Sequence, residues 1–141
     1  MCLVLEAIGP ATDRDTLVAA ASQASSVGLH VDVGHPSRWP WAKGQPVRAR
    51  ISEDGSCACS LLSDVADWNA ETWSMRCDVL DRLATTFETL AAHGPRELVI
   101  EARWVGDPAT VTVRVSPREL ADLARSSKLG TRTRYVVVVD K

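Results

Sequence analysis

Two cysteines one residue apart, Cys57 and Cys59, form the pattern in this chain with the most direct chemical meaning. Side chains two positions apart on a strand share a face, so the two thiols would stand together. Two thiolates suit a soft ion such as Cu(I); zinc would need further ligands, and Cys2, His30 and His35 are the remote candidates. The register of a hairpin around Asp54-Gly55 decides between chemistry and packing, because that pair joins alternating runs at 47–51 and 57–61. With Asp54-Gly55 as a two-residue loop, the thiols share a polar face with Arg48 and Arg50, whose charge favours thiolate. With Ser52 to Gly55 as a bulged turn, Ile51 pairs with Cys57, Ala49 with Cys59 and Val47 with Leu61. The second register gathers all six apolar side chains on one face and makes the cysteines core residues. It is the preferred reading, and no cofactor is expected; a Cu or Zn ion on Cys57 and Cys59 is the alternative.

Other residues could bind rather than react. Trp39-Pro40-Trp41 sets two large rings on a stiff backbone within 34–46, the longest irregular stretch, where aromatics can anchor a partner or cover one end of the core. His35, in the same stretch, is the most accessible histidine. Arg132 and Arg134 project from one face of a strand that begins near Thr131, and with Arg114 they could form an anion-binding patch, although an ordinary solvent-facing strip is the preferred reading. His30 and Asp32 share the outward face of a short strand and could act as an acid–base pair, but a solvated strand face is the preferred reading. Cys2 would become a terminal thiol nucleophile if Met1 were removed, but no second catalytic group accompanies it. Cys77 sits on a helix stripe and reads as packing. A Gly-rich phosphate loop, a dinucleotide fingerprint, a His-Glu-x-x-His pair and a Gly-x-Ser-x-Gly elbow are all lacking.

The elements that must position these residues follow from periodicity and punctuation. Residues 2–8 form a short apolar strand closed by Gly9-Pro10. Thr12 with Asp15 approximates a capping box before a helix whose apolar positions are Leu17, Val18, Ala21 and Ala24, and Gly28 stops it. Leu29, Val31 and Val33 alternate as a strand. A helix over about 70–92, capped by Asn69 and closed by His93-Gly94-Pro95, carries the stripe Trp73, Cys77, Leu80, Ala84, Phe87 and Ala91. Leu98, Ile100, Ala102 and Trp104 alternate, and Gly106-Asp107-Pro108 turns the chain toward Val111, Val113 and Val115 as a second hairpin. Ser116-Pro117-Arg118-Glu119 starts a third helix, with Leu120, Leu123 and Ala124 as its buried face. The run Tyr135–Val139 reads as a strand buried on both faces, hence central.

The order β-α-β-β-β-α-β-β-α-β predicts an α+β (mixed α/β) fold: one two-layer domain over residues 1–141, with a mixed sheet of about 6–7 strands and three helices packed on it. At 141 residues, with 45% hydrophobic and 24% charged side chains, the chain is long enough for its own core. No apolar run is long enough for a membrane span, and the start, Met1-Cys2-Leu3-Val4-Leu5-Glu6, lacks the features of a signal peptide, so a cytoplasmic location with reduced thiols is expected. A net charge of -2 argues against general nucleic-acid binding. Charge is uneven, however: residues 53–101 hold ten acids against three arginines, whereas residues 102–141 hold eight bases against four acids. Thirteen of the sixteen bases are arginine, as a GC-rich, bacterial-type coding bias produces, so no single arginine argues for phosphate recognition. These features favour a small, non-catalytic binding or regulatory protein acting through a protein–protein interface, in an immunity- or adaptor-type role. The alternatives are a thiol or metal protein using Cys57 and Cys59, and a small enzyme or ligand-binding domain for an anionic molecule. An uncovered sheet edge could also join two copies into a homodimer.

Overall fold

The pleat of one strand organises the molecule. In β1 (Leu3–Gly9), Leu3, Leu5 and Ala7 enter the main core, while Val4, Glu6 and Ile8 turn to the opposite face of the sheet. A computed structural model describes residues 3–33, 45–53, 58, 61 and 70–139, with the backbone alone for 70–75. After β1 come a single 3-10 turn (Ala11–Asp13), α1 (Arg14–Val27), β2 (His30–Asp32) and β3 (Val47–Ser52). Then follow α2 (Ala70–His93), β4 (Leu98–Trp104), β5 (Val111–Val115), α3 (Pro117–Arg125) and β6 (Thr133–Val137).

The described strands form one six-stranded sheet in the order β2-β3-β1-β4-β6-β5. Every neighbouring pair is antiparallel except β5 and β6, which run parallel and are linked by α3. This is the α+β architecture expected, a mixed sheet with three helices. Register carries the apolar rows across it: Val31, Ile51, Leu5, Ala102 and Thr133 align, as do Ala49, Ala7, Ile100 and Tyr135. All of these are buried, and all but the polar Thr133 join the core that the helices supply with Leu17, Leu80, Leu83, Phe87, Leu90 and Leu120.

The helices form where the sequence punctuates them. In α3 the Ser116 side chain accepts from the Glu119 N–H at 3.1 Å while the Glu119 carboxylate accepts from the Ser116 N–H at 3.3 Å, a reciprocal cap followed by Pro117. Thr12 does not cap α1: the 3-10 turn precedes that helix and Asp13 takes the cap position without a side-chain bond. α2 packs against both α1 and α3. Ala20, Ala21 and Ala24 keep the α1 face small, which permits close approach. Arg125, in the last turn of α3, pairs with Glu88 at 2.8 Å and Asp81 at 3.3 Å on α2; the bond to Glu88 first, then Asp81, raises its pKa. Ser127, left-handed at φ 57°, receives a 2.7 Å bond from the buried Arg76 of α2.

Thr86 locks the turn between α1 and β2 to α2. Its hydroxyl accepts from the Leu29 N–H at 2.8 Å and donates to the Arg82 carbonyl at 2.8 Å. A Cβ at Gly28 would collide with the same Thr86 oxygen, so the closeness of this crossing requires glycine.

Three local expectations give way to long-range pairing. The hairpin of 47–51 with 57–61 does not form at Ile51, because that residue already lies between Leu5 of β1 and Val31 of β2. Ala58 instead donates its N–H to the Leu3 carbonyl at 3.0 Å, and Leu61 is helical. β4 and β5 also do not pair as a hairpin. The turn at Gly106 (φ 88°) is present, with Asp107 N–H bonded to the Trp104 carbonyl at 3.1 Å, but β6 inserts between the two strands. The third concerns β6, which is interior yet not buried on both faces. Tyr135 and Val137 point into the core, while Val136 and Val138 between and after them are half-buried and Val139 is exposed.

Candidate functional site

The face of the sheet opposite the helices carries a polar row that crosses all six strands. Asp32 of β2, Arg50 of β3, Glu6 of β1, Glu101 of β4, Arg134 of β6 and Thr112 of β5 are successive register partners. One step along, Arg48, Ile8, Val99, Val136 and Arg114 form a parallel row. A sheet covered on one face alternates apolar and polar residues, and that accounts for the polar rims of both rows. It does not account for two carboxylates at the centre.

Glu6 and Glu101 face each other directly, with side chains only 9% and 8% exposed. Like charges so placed repel, and their partial burial removes the water that would screen them. Two guanidiniums balance them. Arg103 donates from Nη2 to Glu6 Oε1 at 2.7 Å and from Nε to Glu101 Oε1 at 2.9 Å. The Nη1 of Arg48 lies 3.2 Å from Glu6 Oε1 and 3.6 Å from Glu101 Oε1. The result is a crossed square of alternating charge, rigid and internally neutral.

Beside this square the sheet is positive. Arg134 lies next to Glu101 in register, Arg114 stands on β5 opposite Val136, and Arg132 immediately precedes β6, its carbonyl accepting from the Val111 N–H of β5 at 3.1 Å. All three are exposed. Among the described residues no carboxylate lies within ion-pair distance of any of them. Three guanidiniums on adjacent strands, without local counter-charge, can accept carboxylates or other anions in forked geometry.

The structure thus brings Arg134 and Arg114 onto one face and Arg132 to the adjoining start of β6, by parallel pairing rather than through a hairpin. His30 and Asp32 both face away from the core at the far edge of the sheet, around the buried Val31. His93, in the last turn of α2, lies 3.3 Å from the Gln23 amide nitrogen. Cys77 is half-buried on α2. His35, Trp39, Trp41, Cys2, Cys57 and Cys59 lie outside the described residues, as do Asn69 and the side chain of Trp73. Among the described residues, no three His, Cys, Asp or Glu side chains form a group that could hold a metal ion, which leaves the proposal for Cys57 and Cys59 untouched. Among the same residues no helix is long and apolar enough to cross a membrane.

Glu6 and Glu101 escape a periodicity reading because the apolar residues around them dominate it. A signal is nevertheless present. Leu5-Glu6-Ala7 and Ile100-Glu101-Ala102 are matching triplets in which one acid interrupts an apolar strand. An acid in that position must either reach water or meet a cation. Comparison with known protein families, curated proteins and solved structures yields no match to the chain.

Proposed function

We propose that this chain is a small, non-catalytic binding or regulatory domain that acts through a protein–protein interface, in an immunity- or adaptor-type role, and that the interface includes the β5–β6 end of the sheet face opposite α1, α2 and α3. The observation that carries this reading is the grouping of Arg114, Arg132 and Arg134 on one exposed surface with no carboxylate of the described residues paired to them. Arginine is favoured at protein interfaces because its planar fork pairs two ways with carboxylates and loses little hydration on docking. A sheet face tied at its centre by a neutral charge square offers such side chains a fixed platform. A net charge of -2 for the whole chain and the carboxylates within the face favour a protein over a nucleic-acid backbone.

The test is affinity capture from the source organism with the wild-type chain and with Arg132→Gln combined with Arg134→Gln. One specific protein recovered by the wild type and lost, or made more salt-sensitive, with the variant supports the reading. Recovery of no specific protein, or equal recovery by both, counts against it. The same three guanidiniums would also suit a small anionic ligand. A thermal-shift screen with phosphorylated metabolites reads that alternative independently.

A further inference from the structure

Among the described strands β5 is the last on its side of the sheet, and its hydrogen bonds show which groups point outward. Val111 donates its N–H to the Arg132 carbonyl at 3.1 Å, and the Val115 carbonyl accepts from the Val138 N–H at 2.8 Å. Alternation along a parallel ladder then turns the backbone groups of Val111, Val113 and Val115 toward β6. The N–H and C=O of Thr112 and Arg114 point outward, where among the described residues no strand meets them. An edge of this kind is a template for another strand unless it is blunted, and proline or an inward charge would blunt it; Val111–Val115 holds neither.

The two sides of that edge differ in chemistry. On the helix side Val111 is 52% exposed and Val113 38%, whereas Val115 is buried. On the other side stand Thr112 and Arg114, backed by Arg134 in register with Thr112 and by Arg132. Of the six large hydrophobic residues exposed among those described, Val105, Val111, Val113 and Val139 lie on β5 itself or in the segments adjoining β5 and β6.

We propose that β5 takes up an extended segment of the partner as a seventh strand, and that this segment alternates apolar with acidic residues. Its apolar side chains would cover Val111 and Val113, its carboxylates would pair with Arg114, Arg132 and Arg134, and its backbone would satisfy Thr112 and Arg114. The proposal rests on the protein-binding reading above and narrows it to one edge and one partner chemistry. Charge decides against a second copy as the occupant. An antiparallel β5 would bring the same three arginines of both copies onto one continuous face, with no acid of the strand to offset them.

The probe is a fluorescent synthetic peptide of alternating valine and glutamate, compared with one of valine and lysine and with a valine–glutamate peptide N-methylated at alternate residues. The cross-strand contact with Arg114, reinforced by the charge of Arg132 and Arg134 one strand further in, predicts that the glutamate peptide binds about tenfold or more tighter than the lysine peptide. Its binding should slow amide exchange at Thr112 and Arg114 by about tenfold or more. The N-methylated peptide keeps its charge but cannot complete the ladder, and it should not bind. Arg114→Glu with Arg132→Glu, checked for folding by circular dichroism, should reverse the preference between the glutamate and lysine peptides. Failure of the glutamate peptide to bind, equal binding of the N-methylated form, or unchanged exchange at Thr112 and Arg114 would overturn the added strand. So would a sedimentation-defined dimer that protects the same two amides, which would give the edge to a second copy. If the captured partner still depends on Arg132 and Arg134 while the peptide fails, only the edge proposal falls. If no partner is captured at all, the protein-binding reading itself falls.

Discussion

Glu6 and Glu101 are register partners on the two central strands, and Arg103 bonds both carboxylates with one guanidinium. The pair depends on that bridge. Arg103→Met should leave two largely buried carboxylates with only Arg48, which shares a single nitrogen between them. The expected loss is about 3 kcal/mol, the lower end for breaking a buried ion pair because Arg48 remains. For a chain of this size that corresponds to a fall in Tm of about 10 °C, measurable by calorimetry. Adding Glu101→Gln to Arg103→Met should restore part of the loss, since it removes the like-charge contact.

Arg134 follows Glu101 in that polar row, and its two simplest substitutions should diverge. Arg134→Gln, at an exposed position, should change stability by less than about 0.5 kcal/mol. Arg134→Glu sets a third carboxylate beside Glu101 and should cost about 1 kcal/mol more. Urea denaturation of the two variants at low salt checks the difference. Raising the salt should narrow it.

Thr86→Val conserves shape and removes only the hydroxyl, so the buried Leu29 N–H is left without an acceptor. An unsatisfied buried donor costs about 1–3 kcal/mol, and the loss should appear in both thermal and denaturant unfolding. Hydrogen exchange should show where it acts. The amide of Leu29 should lose protection before the amides of β1 do.

Ser116→Ala should cost about 1 kcal/mol, because it deletes one half of the reciprocal cap of α3 and leaves the Glu119 N–H without its side-chain acceptor. Ser116→Asp should retain most of the stability, since its carboxylate can accept the same N–H bond. Equilibrium unfolding of both variants distinguishes loss of the cap from any other effect of the site.

Local signals in the sequence account for the helices and for which residues are strand-like. Ser116, Pro117 and Glu119 announce α3, and the stripe Leu80, Ala84, Phe87 and Ala91 announces α2, because caps and 3.6-residue periodicity are properties of the segment itself. Pairing is different. Asp54-Gly55 is a strong turn signal, yet Ile51 finds Leu5 and Val31 as neighbours, and no pattern within 47–61 records that competition. The same reason moves β6 between β4 and β5. Of the candidate site, Arg132 and Arg134 are legible from alternation alone. Glu6 and Glu101 become meaningful only when two strands ninety-five residues apart are laid side by side.

That distance has a kinetic consequence. β1 is the seam of the sheet: β3 closes on one of its sides and β4 on the other. The β4 side lies far along the chain, so the loop that must close before Glu6 meets Arg103 spans most of the protein. Such high contact order slows folding, because chain entropy is lost before the long-range contacts reward it. Until that closure, β1 presents a free apolar edge and an acid with half its counter-charge missing. During synthesis, the early β1–β3 half therefore waits for the strand that neutralises it.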